Sequence, residues 1–315
     1  MSSLFDTGVR PLVDAYLLEE SKKVRDYGKY WSASSAGYCM RKVIFERLGV
    51  PKIEQDGGAR KQRVFTAGHI FHDWLQGITK AAGVSIAQEV ELQDEELMIR
   101  GHFDDLILVN NYLPGEGGAE WVFPTPTTDE ERANAKYDAK RHKPAQHLIL
   151  YDYKTVNSRS FMWAKKNGNA MSHFHRLQLG TYMYMLRKNN LDIGHKLDTS
   201  DIPVGKWGNA KVEKITLDSY GGLSEARILK IEKENLMMME QQLMWDAQLE
   251  KDVVSYWKTL NGYWKKQTMP KCTCADYEGG FMAKELYNGY FFQGEPCSLA
   301  YYNKCKEEGL LKHDS

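Results

Sequence analysis

A carboxylate and an ammonium stand two residues apart in the apolar run Leu148-Ile149-Leu150-Tyr151-Asp152-Tyr153-Lys154-Thr155-Val156. If that run is a strand, Asp152 and Lys154 project from one face. Two chemistries follow: a plain ion pair at a sheet edge, or half of a metal site in which the lysine supports attack on an ester. A second carboxylate decides between them. Asp104 supplies it, where an apolar stretch closes on Gly101-His102-Phe103-Asp104. Adjacent strands bring two such acids within a few ångströms, and their oxygens suit a hard divalent cation such as Mg²⁺. Asp105 points to the opposite face of a regular strand, so Asp104 is the preferred ligand.

His72 lies one helical turn after Gly68 in Gly68-His69-Ile70-Phe71-His72, so the two share a face. A lone helical histidine is more often an ordinary core or surface residue than a ligand. Gln178 and Tyr182 are likewise four apart on a helical segment and taken alone are helix surface. Glu89, in Gln88-Glu89-Val90, is a further acid on a neighbouring strand, read here as a surface carboxylate.

These residues need elements to position them. An apolar stripe predicts a helix over 12–20, and Ser34 or Ser35 can cap another that runs through Cys39, Val43, Ile44 and Leu48 to a stop at Gly49. Residues 60–82 give a helix whose apolar face carries Val64, Ile70, Phe71, Trp74, Leu75 and Ile78. The pattern then changes to strands over 84–92 and 97–109, joined as a hairpin, with 148–156 as the next strand. Prolines and glycines between 110 and 143 mark an insertion at one edge of the fold. Helices follow over 160–166 and 174–188, then a strand over 211–217 and one long helix over 223–266, before a cysteine-rich tail. The chain therefore divides into a helical segment 1–59, a core 60–218 and a helix-plus-tail segment 219–315.

Lys and Arg number 42 and Asp and Glu number 42, so the 315-residue chain has zero formal charge and no global field drawing it to a polyanion. Any surface for nucleic acid must be local, and basic clusters stand at 136–143, at Lys165 and Lys166, and at 206–214, each of which also reads as a solvated face. No run approaches a membrane span and the N-terminus lacks the pattern of a secretory signal, so a cytoplasmic protein is expected, with no membrane partner.

Taken in order, Gly68 to His72, Gly101 to Asp104, Asp152 to Lys154 and Gln178 to Tyr182 resemble the RecB-like branch of the PD-(D/E)xK nuclease superfamily, whose motifs are Gly-x-x-x-His, Gly-x-x-Asp, Asp-Tyr-Lys and Gln-x-x-x-Tyr. The resemblance implies an α/β fold: a mixed central sheet flanked by helices, the restriction-endonuclease-like core. It implies a catalytic set of His72, Asp104, Asp152 and Lys154. Mg²⁺ or Mn²⁺ would be held by His72, Asp104, Asp152 and the main-chain carbonyl of Tyr153, with Lys154 orienting or helping to deprotonate the attacking water. Gln178 and Tyr182 would hold the substrate strand and buttress Lys154. The implied activity is a DNA exonuclease on single strands or duplex ends, in recombination, repair or replication in a bacterial or virus-infected cell, with a partner protein from those pathways. A flap or branch endonuclease is the second reading, and a non-catalytic module binding DNA ends or a partner the third.

Of five cysteines, Cys39 precedes the core and Cys272, Cys274, Cys297 and Cys305 follow it. Relatives of the AddB and CRISPR-adaptation type fasten the two ends of the chain with a [4Fe-4S] cluster on one leading and three trailing cysteines. That resemblance implies Cys39, Cys297 and Cys305 with Cys274, or Cys272 in its place. By ligand type alone structural Zn²⁺ serves equally, and unligated buried thiols are the third possibility.

Overall fold

The computed structural model describes residues 9–21, 28–51, 58–110, 146–168, 171–189, 217, 222–271, 291–292, 295–296 and 299–311. Its elements are α1 (Val9–Ser21), β1 (Trp31–Ser32), α2 (Met40–Arg47), α3 (Gly58–Ala81), β2 (Ser85–Gln88), β3 (Glu91–Asp94), β4 (Ile99–His102), β5 (Asp105–Asn110), β6 (Gln146–Val156), α4 (Ser158–Lys166), α5 (His173–Asn189), β7 (Glu225–Glu232), β8 (Met238–Met244), α6 (Ala247–Lys265), β9 (Phe291–Phe292), β10 (Glu295–Pro296) and α7 (Leu299–Glu307). A five-stranded sheet runs in the order β2-β5-β6-β7-β8, with β6 and β7 parallel and the other pairs antiparallel. A smaller sheet, β1-β4-β3, pairs β1 and β4 in parallel and β3 and β4 antiparallel. The expected fold class, a mixed sheet flanked by helices, is what forms.

Alternation along β6 sets the layers. Leu148 and Leu150 enter a core with Leu106, Ala226, Ile228, Leu177 and Met183 of α5, and Leu249, Val253 and Trp257 of α6. Ile149, Tyr151 and Tyr153 face the other way, with Ile107 and with Leu75 of α3. The sheet is thus clothed by α3 on one face and by α5 and α6 on the other, which is how a strand apolar on both faces escapes water. Trp257 is fully buried and its indole N–H donates to Thr181 Oγ1 on α5 at 3.0 Å, tying the two helices together.

The expected hairpin over 84–109 takes a different form. Residues 85–88 and 105–110 belong to the large sheet, whereas 91–94 and 99–102 belong to the small one. The chain therefore crosses between sheets twice, at residues 89–90 and again at 103–104. Gln88 pairs with Asp105 and Glu91 with His102, so the two crossings lie side by side.

The long helix expected over 223–266 is a correction. Its first half is the β7–β8 hairpin, and only α6 is helical, starting where Asp246 accepts the Leu249 N–H at 2.7 Å. Glu, Lys, Leu and Met in this stretch favour helix, but pairing with β6 buries most of β7, and that tertiary gain outweighs local propensity. The turn is held by the Glu232 carboxylate, which accepts the N–H groups of Glu234 and Asn235. The core sheet consequently extends beyond the 60–218 span. The strand expected at 211–217 lies outside the described residues apart from Leu217, which is buried, and the insertion lies outside them except at Asn110. No described helix is long and apolar enough to cross a membrane.

Trp257→Ala would remove both the largest fully buried side chain and the link to Thr181. A loss of about 3–5 kcal/mol is expected in urea unfolding, whereas an unchanged midpoint would mean that α5 and α6 do not pack through this residue.

Candidate metal centre

Asp152 and Lys154 sit on the face of β6 that looks toward α5. Asp152 is 2 % exposed. Its Oδ1 receives the Lys154 ammonium at 2.8 Å and the Gln178 side-chain amide at 3.2 Å. Its Oδ2 is buried and finds no hydrogen-bond partner among the described residues. An anionic oxygen left in that state is costly, and a cation is the natural remedy.

Asp104 occupies the second inter-sheet crossing, where β5 begins beside β6. Its Oδ2 accepts the Tyr153 main-chain N–H at 2.6 Å, so a bond from the neighbouring strand fixes the carboxylate next to Asp152. The His72 Nδ1 lies 3.6 Å from the same oxygen, and its ring stands edge-on to Tyr153. The glycine of each motif is explained by close approach. A Cβ at Gly68 would lie 3.3 Å from Thr155 Oγ1, so glycine lets α3 settle on β6 and carry His72 to the site. A Cβ at Gly101 would lie 2.7 Å from the Ala33 methyl and 3.1 Å from the Tyr182 ring.

Asp105 turns to the opposite face, as alternation requires. It is buried and accepts from Thr79, Ser85 and the Tyr153 hydroxyl, at 2.6, 2.6 and 3.0 Å. Tyr182, expected to hold the substrate strand, is 4 % exposed and lies against Gly101. Glu89, read as a surface carboxylate, is exposed, and one ligand atom from each of His72, Glu89 and Asp104 lies within 4.8 Å of the others, close enough to share an ion. Lys230 was also missed. It pairs in register with Lys154 and is only 9 % exposed, yet its segment read as helix.

The electrostatics match the donor set. Burial, then the Asp152 charge, pushes the Asp104 carboxyl up to about 8. Burial, then the Lys154 ammonium, lowers His72, so its imidazole is neutral and has a lone pair to offer. For Lys154 burial acts to lower the pKa, but Asp152 and Asp104 outweigh it and the ammonium is held charged. His175, on the first turn of α5, is pushed down to about 2 by burial and then by Lys154 and Lys230. An unpartnered acid oxygen, a second acid that resists ionising alone and a neutral imidazole together fit a divalent cation.

Beyond the centre, α4 buries Phe161 and Ala164 and exposes Trp163, at 57 %, with Lys165 and Lys166. The basic clusters at 136–143 and 206–214 lie outside the described residues. Cys39 and Cys305 are both buried and belong to one small apolar cluster with Phe45 and Val50. Cys272, Cys274 and Cys297 lie outside the described residues.

No family model and no curated protein matches this chain. Similar solved structures include SSO0001, at a TM-score of 0.42 and 14 % identity over 86 % of this chain and 94 % of that one. They also include the alkaline exonuclease LHK-Exo of Laribacter hongkongensis, at 0.35 and 12 % identity over 82 % of this chain and 97 % of that one. The same exonuclease in complex with dAMP gives 0.35 and 13 % identity over 76 % and 94 %. These likenesses are loose, and the reading of the site rests on its own geometry.

Because the Asp104 pKa is raised on folding, the folded chain holds this proton more tightly than the unfolded one does. Its contribution is fully present below about pH 4 and is lost as pH climbs toward about 8. In chelator, wild-type stability should therefore fall across that window, and Asp104→Asn should flatten the fall in urea unfolding at matched pH values. Identical pH slopes in the two proteins would contradict the coupled carboxylates.

Proposed function

We propose that this chain is a divalent-metal-dependent nuclease of the PD-(D/E)xK kind that hydrolyses phosphodiesters in DNA. The observation that carries the reading is the pairing of part-buried Asp104 with buried Asp152, whose Oδ2 has no hydrogen-bond partner among the described residues, with Lys154 bonded to its other oxygen and His72 beside Asp104. His72, Asp104, Asp152 and the Tyr153 main-chain carbonyl would hold Mg²⁺ or Mn²⁺. A cation bound there raises the acidity of a water molecule and offsets the negative charge that gathers on the phosphate during attack.

The rest of the chemistry belongs to side chains. Gln178 and Lys154 together occupy Asp152 Oδ1, which leaves Oδ2 to the cation. Lys154, kept protonated by the two carboxylates, serves as a fixed positive charge that orients the water and steadies the reacting phosphate. Trp163, Lys165 and Lys166 on α4 offer a stacking surface with backbone-neutralising charge a few residues beyond the catalytic strand, which favours single strands or frayed ends as substrate. We accordingly favour an exonuclease that processes DNA ends in recombination, repair or replication. Prompt cutting of closed single-stranded circles would instead select the endonuclease reading.

We further propose that Cys39 and Cys305 are two ligands of a structural [4Fe-4S] cluster completed by Cys297 and Cys274 or Cys272. Support comes from the shared buried site of the two described thiols. Protein purified without oxygen should be brown, contain about four irons per chain and lose its visible absorbance in Cys39→Ala. One zinc and no iron would replace the cluster with a zinc site.

Asp152→Ala and Lys154→Ala should each lower Mg²⁺- or Mn²⁺-dependent degradation of labelled single-stranded DNA about a thousandfold. Equal rates in the wild type and both variants would falsify the catalytic assignment and leave a binding module.

A further inference from the structure

The two inter-sheet crossings are stapled to each other by a residue outside every motif in the sequence. Gln76 is buried on α3, one turn after His72 and on the same face. Its amide donates to Glu89 Oε1 and to the Asp104 main-chain carbonyl, both at 2.9 Å. Its own carbonyl accepts the Gln88 side chain at 2.8 Å, and the Glu89 N–H reaches the Asp104 carbonyl at 3.4 Å. Glu89 stands between β2 and β3 with φ of 51°, a left-handed conformation that a non-glycine residue adopts uncommonly. One helix thus fixes His72 directly and fixes the Glu89 carboxylate through Gln76. Gln76 engages Oε1, and one ligand atom each of His72, Glu89 and Asp104 lies within 4.8 Å of the others.

We propose that Glu89 is a further ligand of the metal centre and that Gln76 is the residue that positions it. The inference rests on the metal centre described above and adds a ligand to it. A second observation also calls for a cation nearby: Asp152, whose charge acts on both His72 and Asp104, has a buried Oδ2 without a hydrogen-bond partner among the described residues. Glu89 would add a third carboxylate to Asp104 and Asp152 opposite the ammonium groups of Lys154 and Lys230, which favours uptake of a divalent cation in the absence of nucleic acid.

The test is Mn²⁺ binding to the full chain with no nucleic acid, read by calorimetry and by the electron paramagnetic resonance of bound Mn²⁺. Glu89→Gln keeps an acceptor for Gln76 and removes only the charge, and affinity should drop about 10- to 100-fold. Glu89→Gly suits the left-handed backbone, so its metal-free melting temperature should hold or rise while its affinity drops equally. Gln76→Leu keeps the Glu89 charge but frees it, which should weaken binding by a smaller factor and alter the Mn²⁺ spectrum. Wild-type affinity in both Glu89 variants overturns the proposal. Asp104→Asn separates that failure from a deeper one: if it alone loses Mn²⁺ the centre stands without Glu89, and if it too binds normally the metal centre itself is wrong.

Discussion

Two carboxylates are held against each other where water cannot easily separate them. Asp104 is fixed by a main-chain N–H of β6 and Asp152 by Lys154 and Gln178, and neither can swing away without breaking those bonds. Burial and the neighbouring Asp152 charge both disfavour ionising Asp104. That penalty is the constraint around which the site is organised. Burial and then the Asp152 charge push the Asp104 carboxyl up, the two carboxylates hold Lys154 charged, and Asp152 Oδ2 has no hydrogen-bond partner among the described residues. A divalent cation satisfies all of these at once.

The fold positions that arrangement. β5 and β6 are neighbours in the large sheet, and Asp104 precedes β5 because the chain has just left the small sheet. The two sheets therefore define the position of the acid, more than either strand alone does. Packing supplies the remaining precision. Glycine at 68 lets α3 lie close enough to β6 for His72 to reach Asp104, and glycine at 101 makes room for Tyr182 beneath β4. Glycine at these two sites and the buried Tyr182 thus act through packing, whereas His72, Asp104, Asp152 and Lys154 act through charge and lone pairs.

Much of this was legible in the sequence where local geometry decides. Strand alternation puts Asp152 and Lys154 on one face and Asp105 on the other, and helical spacing joins Gly68 to His72. Where tertiary pairing decides, the sequence misleads. The β7–β8 hairpin is rich in helix formers, and only its burial against β6 makes it a sheet, so Lys230 beside Lys154 was hidden as well. Glu89 is exposed, as its sequence context suggests, but nothing local shows that the chain crosses between sheets there, or that Gln76 on α3 holds its carboxylate. The burial of Tyr182 was not legible either, because a four-residue spacing says which helical face a residue occupies, not what covers that face.

The central claim is that the paired acids form a cation site. Crystals grown with Mn²⁺ and measured for its anomalous scattering address it most directly. The expected result is one strong peak in contact with both Asp104 and Asp152, with the His72 ring turned toward it. Mn²⁺ bound only elsewhere, with Asp152 Oδ2 hydrogen-bonded to the protein instead, would contradict the account.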